Sequence, residues 1–477
     1  MLTYSFAEKG PDSLYEYLYK CMRRDILEGK LRPGEKLPSK RGFAKNLGIS
    51  TLTVENAYAQ LLAEGYIYSL PKKGYYVQDI PQAKAAGPSA QEARGEEEEP
   101  EKTKLLADFA SSETRPENFP FATWARLMRR QLTDHQDELL SNVPCLGARE
   151  LREAIAQHLR EFHGIQASAS QVVVGAGTEY LYGLLVQLLG LKKCYGVENP
   201  GYQKIASVYR SHGVRCVPIS MDVAGVLPEE MCKKKIDVMH LSPSHHFPTG
   251  IVMPVSRRYE LLGWAAEKEG RYIIEDDYDS ELRLAGCPVP SLQSMDVQGK
   301  VIYMNTFTKS LASTIRISYM VLPRQLARDY QQQLHFYSCP VSNFEQYTLA
   351  AFIREGYYEK HINRMRGYYR AKQARILKMI RKSPLAGKIS VSGEDAGLHF
   401  LMKVDTPLSD EEFCQKAQER GVRLSPLRTC FAQGSTLPES VEHTFVINYS
   451  SVEEEAMEKA FHILEEIVGG RDFLKML

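Results

Sequence analysis

The 477-residue sequence lacks the marks of a disulfide scaffold. Its nine cysteines are irregularly spaced, none forms a Cys-x-x-Cys pair, and the count is odd. In a chain this long, reduced thiols and a cytoplasmic setting are expected. No stretch approaches about 18 uncharged apolar residues, which excludes a membrane-spanning helix. The opening MLTYSFAEKGPDSLYEYLYK has no basic segment followed by an apolar run, so no secretory leader is expected. No internal repeat is present. The formal charge of +1 favours no partner of either sign. Hydrophobic residues at 43% and charged residues at 25% are ordinary globular values. The length accommodates roughly two to four domains.

The clearest break is the segment DIPQAKAAGPSAQEARGEEEEPEKTK at residues 79–104, rich in Ala, Pro, Gly and Glu without hydrophobic period. Such a composition buries too little apolar surface to offset its ordering entropy, so a solvated linker is expected, Glu96–Glu99 included. It separates residues 1–78 from 105–477. The first part carries twelve Lys/Arg against eight Asp/Glu, a net +4. That balance suits phosphate attraction, though many small domains reach it by chance.

Within residues 1–78, Leu14, Leu18, Met22 and Ile26 recur at helical spacing until Gly29. Pro33-Gly34 marks a turn. Ser39 is placed to cap a second helix with Phe43, Ala44 and Leu47 on its apolar face. Ser50 is placed to cap a third, with Val54, Ala57, Tyr58, Leu61 and Leu62 as the buried stripe and Thr51, Thr53, Glu55, Asn56 and Gln60 opposite. Two short strands, Tyr66–Ser69 and Tyr75–Gln78, flank a PKKG turn tipped by Lys72 and Lys73. Three helices and a basic hairpin make a winged helix-turn-helix, whose third helix enters the major groove of DNA. The same pattern also fits a three-helix protein-binding module.

The residues ILEGKLRPGEKLPSKRGFAKNLGISTLTVENAYAQLLAEGYI, followed by KKGYYV, resemble the winged helix of GntR-type regulators. The resemblance implies contact with double-stranded DNA from Ser39, Lys40 and Arg41, from Ser50, Thr51 and Thr53, and from Lys72 and Lys73. The family usually has Arg where this chain has Thr51. A hydroxyl cannot fork onto guanine as Arg does, so sequence preference is expected to differ.

The remaining 370 or so residues alternate apolar strands with helices, the pattern of a mostly parallel sheet with ligand loops at the strands' carboxyl ends. Val172–Val174 runs into GAGT, Tyr272–Ile274 into EDDYDSE, and Val301–Met304 into NTFTKS. Lys309, among Thr306, Thr308 and Ser310, occupies a strand-end position suited to a Schiff-base lysine. Taken alone it reads more readily as a surface charge. Asp276 and Tyr278 supply a carboxylate and a phenol of the kind pyridoxal phosphate requires at its ring nitrogen and ring hydroxyl. Asp276/Asp277 would also suit a metal, but no His or third carboxylate stands at ligand spacing, so no metal is expected. Gly175, Gly177, Thr178 and Glu179 open a helix whose N–H groups suit a phosphate. Tyr202, after a Pro-Gly turn, suits stacking on a planar ring or half-burial in a loop.

GARELREAIAQHL, VVVGAGTEYL, ENPGYQ, SPSHHFPTGIVMPVSRRYELL, YIIEDDYDSE and TFTKSLASTIRISYMVLP together resemble a fold-type I aminotransferase over residues 105–470. Joined to the GntR-type head, they resemble the MocR/GabR subfamily. The implied fold is α/β: a winged helix plus a large transferase-like domain with a mostly parallel central sheet and a small C-terminal α/β subdomain. The resemblance assigns pyridoxal 5'-phosphate to a Schiff base on Lys309, its pyridine nitrogen to Asp276 in preference to Asp277, its hydroxyl to Tyr278, and its ring face to Tyr202. Gly177, Thr178, Thr306, Thr308 and Arg316 fall near the phosphate, with Arg316 alternatively near an effector. Phe247 stands where related enzymes have Asn, which removes one ring-hydroxyl contact. Val446 stands where they have a carboxylate-binding Arg, leaving Arg428 and Lys204 as substitutes.

The expected function is a pyridoxal-phosphate-dependent transcriptional regulator that senses an amino acid, another amine or the cofactor itself. Two other readings are an active aminotransferase that carries a DNA-binding head, and a degenerate scaffold without cofactor. The subfamily resemblance further implies a head-to-tail, domain-swapped homodimer.

Overall fold

The computed structural model describes residues 2–6, 10–80, 105–111, 113–284, 289–384, 386–394 and 397–469. The expected linker therefore lies, but for Asp79 and Ile80, outside the described residues. The chain divides into two compact units, Met1–Lys102 and Thr103–Leu477. No helix among the described residues is long and apolar enough to cross a membrane.

The small unit has helices Leu14–Leu27, Lys40–Leu47 and Thr51–Ala63, then an antiparallel hairpin of Ile67–Leu70 and Gly74–Val77. Ser39 and Ser50 cap their helices, accepting from the N–H groups of Gly42 and Thr53 at 3.1 Å each. Leu18, Met22, Ile26, Phe43, Val54, Ala57, Tyr58 and Leu61 form its core. Two expectations shift. Leu62 is 40% exposed, because it lies about 80° around the helix from Val54, at the rim of the stripe. The hairpin strands begin and end within a residue or so of the expected positions, since Lys72 takes a positive φ of 62° and tightens the turn.

The large unit is built on an eight-stranded sheet. Its order is Val172–Gly175, Ser318–Val321, Val301–Thr306, Tyr272–Asp276, Val238–Leu241, Cys194–Asn199, Arg215–Asp222 and Gly225–Val226. Strands from Val301–Thr306 through Arg215–Asp222 run parallel. Ser318–Val321 is antiparallel to both of its neighbours. Burial of both faces explains the continuous apolar strands VVVG and VMHL. A 26-residue helix, Tyr357–Lys382, about 39 Å long at 1.5 Å per residue, precedes a four-stranded antiparallel sheet. That sheet, with helices Asp410–Glu419 and Glu454–Gly469, is the small C-terminal α/β subdomain.

Candidate functional site

Register brings three sequence motifs to one edge of the large sheet. Gly175 pairs with Ser318, Ser318 with Thr306, and Met304 with Asp276. The loops carrying Gly177, Tyr278 and Lys309 therefore leave the sheet side by side.

Asp276 ends its strand buried. Its Oδ2 accepts from the Tyr182 hydroxyl at 2.8 Å and lies 3.3 Å from Nε2 of His240, whereas Oδ1 has no hydrogen-bond partner. Asp277 lies on the opposite face. It accepts from Tyr303 at 2.6 Å and from Ser280 at 2.7 Å. The strand's two-residue alternation separates the two carboxylates. Tyr278 is enclosed, its hydroxyl has no hydrogen-bond partner, and its ring stacks on His245 with centroids 6.2 Å apart. Burial, then the charges of Asp279 and Asp276, raise its hydroxyl well above the ordinary range.

Lys309 belongs to a single helical turn, Phe307–Ser310. Thr306 caps that turn by accepting from the Thr308 N–H at 3.2 Å, and Ser318 donates to the Thr306 hydroxyl at 2.8 Å. Desolvation lowers the Lys309 amine from 10.5 to about 8, against the opposing charge of Asp279. Asp279 is also bound to His245 Nδ1 at 2.7 Å.

Gly177 precedes the helix Thr178–Leu189 with φ 97°. A Cβ there would strike the guanidinium of Arg316. Arg316 binds Glu179 at 2.5 Å, and Glu179 also accepts from Lys204. Burial would raise the Glu179 carboxyl, but these two cations prevail and hold it at about 2. Tyr202 is 53% exposed and meets Phe247 edge-on at 6.0 Å. Arg428 is directed to Glu411 at 2.6 Å, and Val446 is buried. Lys204 and Arg428 thus each have an acidic partner within the chain.

Tyr182 and His240 escaped the sequence reading. Tyr182 lies one helical turn after Thr178. His240 pairs in register with Ile274, two residues before Asp276 and so on the same face. That parity was available once the strands were aligned. Buried Glu198, raised to about 8 by desolvation, and His399, stacked on His245 at 4.9 Å, complete the surroundings.

In the small unit, Ser39, Arg41, Ser50, Thr51, Lys72 and Lys73 are exposed, and Lys40 and Thr53 half-buried. Lys40 binds Glu55 at 2.7 Å and lies 5.4 Å from the Tyr75 ring centre. Its charge is thus partly neutralised, while Arg41, Lys72 and Lys73 project from the helix start and the hairpin tip.

The donors present fit pyridoxal phosphate. A buried carboxylate keeps one oxygen without a partner, a buried phenol is unsatisfied, and a lysine amine has a lowered pKa. An added Cβ at Gly177 would displace Arg316, and Gly177 lies at a helix N-terminus, where N–H groups suit an anion.

Comparison with known proteins agrees with both halves. Residues 14–77 match the family of bacterial regulatory proteins described as gntR, and residues 107–462 match aminotransferase class I and II. An uncharacterised HTH-type transcriptional regulator of Bacillus subtilis, YdeL, is 38% identical over 87% of this chain and 89% of its own length. The probable rhizopine catabolism regulatory protein MocR of Rhizobium meliloti is 31% identical over 94% of this chain and 93% of its own. Among solved structures, an archaeal alanine:glyoxylate aminotransferase superposes with a TM-score of 0.68 at 21% identity, covering 78% of this chain and 92% of that one. At that identity the likeness establishes fold alone.

Proposed function

The chain belongs to the MocR-type subfamily of gntR regulators, which joins a winged helix to a class I and II aminotransferase domain, and on that footing we propose a transcriptional regulator whose DNA binding responds to an amine at a pyridoxal-phosphate site centred on Lys309. The fold implies the cofactor and the winged helix implies DNA. The observation that carries the finer reading is the half-partnered Asp276, together with the unsatisfied Tyr278 hydroxyl and the lowered pKa of Lys309.

Bound there, the cofactor supplies an aldehyde for amines and a ring that withdraws electrons. Lys309, whose lowered pKa eases loss of its proton, offers the amine that holds the aldehyde. Asp276 keeps the ring nitrogen protonated through Oδ1, while Tyr182 and His240 fix its carboxylate. Tyr278 donates to the ring hydroxyl. Thr178, Thr306, Thr308, Arg316 and the backbone at Gly177 hold the phosphate, and Tyr202 covers the ring. Lys204 and Arg428 receive an effector's carboxylate after exchanging their acidic partners. Arg41, Lys72 and Lys73 hold DNA phosphates, while Ser39 and Ser50, each accepting from its helix's own N–H, set the helix starts; Lys40, Thr51 and Thr53 complete the surface toward the groove.

Regulation is favoured over turnover because Val446 is apolar and buried where a carboxylate-binding Arg would stand. We also assign the boundaries 1–78, 79–104 and 105–477, a cytoplasmic location, and a head-to-tail homodimer exchanging its winged helices. A random-coil chain of about 25 residues averages about 25–30 Å end to end, a reach compatible with that exchange.

The test is selection of bound duplexes from a random DNA library with the full-length protein, then affinity for the selected site with and without pyridoxal phosphate and a panel of amines. The regulatory reading predicts a defined site whose affinity changes with cofactor or amine. Sustained amino-group transfer with no effect on DNA binding would overturn it.

A further inference from the structure

Behind the Asp276–Tyr278 loop, on the Asp277 face of the sheet, three side chains from distant parts of the sequence converge. His158 lies on the helix Arg149–Phe162, His163 follows that helix, and Glu281 sits in the turn Ser280–Leu282. One donor atom from each lies within 4.8 Å of the other two. His158 and Glu281 are 7% and 4% exposed.

Two donor atoms of this trio are left open, and the His163 ring approaches Glu281 Oε1 at 3.8 Å and Asp277 Oδ2 at 3.9 Å. His158 Nδ1 lies 3.0 Å from Oε1 of Glu359, and its Nε2 has no partner. Glu281 Oε1 accepts from Asn305 Nδ2 at 2.9 Å, and its Oε2 has no partner. A carboxylate holding the far nitrogen of a histidine, and an amide holding one oxygen of a glutamate, are how proteins orient metal ligands. Two such atoms left buried and unsatisfied are otherwise unfavourable. The trio lines a cavity of about 780 Å³, which provides an entry path and room for a fourth ligand.

We propose that His158, His163 and Glu281 form a binding site for a divalent transition cation of the zinc type, with its fourth position open to the cavity. Two imidazoles and one carboxylate are a borderline donor set that selects such ions over calcium or magnesium. Tetrahedral donors about 2.1 Å from the ion stand about 3.4 Å apart, so side-chain shifts of about 1 Å close the site. The ion would join the helix Arg149–Phe162 to the turn three residues beyond Tyr278. Its occupancy would therefore bias the loop that carries Asp276 and Tyr278, whether or not Lys309 holds the cofactor. Sequence spacing hides the site, since its acidic ligand comes more than a hundred residues after its histidines.

The test is Co(II) titration of the full-length protein, followed by its visible ligand-field bands, with displacement by Zn(II) and metal counting after dialysis. The expected result is one ion per chain, with tetrahedral-type bands. Glu281→Gln and His163→Asn should each lower affinity at least about tenfold, and Glu359→Gln, which acts by positioning His158, about 10–100-fold. Circular dichroism establishes which variants fold, and the near-isosteric Glu281→Gln decides the matter if His163→Asn does not. Absence of cobalt binding, or unchanged affinity and spectrum in folded Glu281→Gln, would overturn the proposal.

Discussion

The Tyr182 hydroxyl donates to Oδ2 of Asp276 at 2.8 Å and leaves Oδ1 of the same carboxylate buried and unpartnered. Losing a hydrogen bond to a charged group removes about 1.5–3 kcal/mol, or roughly 10–100-fold in affinity. Asp276→Asn should weaken pyridoxal phosphate binding by that factor, read by fluorescence titration. Tyr182→Phe should give a smaller loss, about tenfold or less. Asp277→Asn, on the other face of the strand, should leave cofactor affinity within a few fold. Equal losses from both Asp variants would contradict the assignment.

Lys309 gives a pH dependence of defined sign. Its folded pKa of about 8 lies below the ordinary 10.5. Below pH 8 the amine is protonated in both states, and the burial penalty is present in full. As pH rises from 8 towards 10.5 the unfolded chain binds more protons than the folded one, so the penalty fades. Lys309→Met should therefore stabilise the cofactor-free protein at pH 7 by about 1–3 kcal/mol, discounted for partial exposure, with the gain vanishing near pH 10.5. The rate at which wild type captures pyridoxal phosphate should rise with a midpoint near pH 8. Denaturant melts and stopped-flow absorbance check the two arms.

Gly177→Ala places a methyl group on the Arg316 guanidinium at a backbone with φ 97°. Strain of about 1–3 kcal/mol corresponds to a loss of about 5–150-fold in affinity for the phosphate-bearing cofactor. Pyridoxal, which has no phosphate, should lose less. Equal losses for the two compounds would remove Gly177 and Arg316 from the phosphate site.

DNA affinity should distinguish paired from unpaired cations in the winged helix. Arg41→Ala and Lys73→Ala should each reduce the slope of log affinity against log salt by about 1. Lys40→Ala should reduce it less, because Glu55 already neutralises that charge. Anisotropy titrations on a selected duplex at several salt concentrations measure all three slopes.

Arg258 is fully buried, donates to the carbonyls of Met253, Pro290 and Pro243, and lies 3.5 Å from Glu275. Arg258→Met removes the cation beside buried Glu275, which keeps only its bonds from the Leu292 and Gln293 N–H groups, and should destabilise the large domain by about 3–5 kcal/mol. Thermal unfolding of the full chain should show the loss in the large-domain transition while the winged-helix transition stays in place.

The motifs read from the sequence lie where an apolar strand meets a loop, and that is why they were legible. VVV before GAGT, RYIIE before DDYDSE and VIYM before NTFTKS each declare a strand end, and the sheet gathers those ends at one edge. Asp276 and Asp277 take opposite faces of their strand, so only one of them can meet a ring on a given side. The partners of these residues were harder to read. Tyr182 and His240 reach Asp276 only through a strand register that local pattern does not fix. His158, His163 and Glu281 meet only after the helix before the first strand packs near the turn beyond Tyr278. Lys204 and Arg428 were chosen for charge, and their pairing with Glu179 and Glu411 depends on loops that carry no periodic signal.

The central claim is that this gntR-type chain carries its cofactor on Lys309. The most direct measurement is borohydride reduction of the full-length protein after incubation with pyridoxal phosphate, followed by peptide mass mapping. The prediction is one phosphopyridoxyl group per chain on the peptide containing Lys309, absent from folded Lys309→Ala. Equal labelling of the two proteins, or labelling spread over surface lysines, would contradict it.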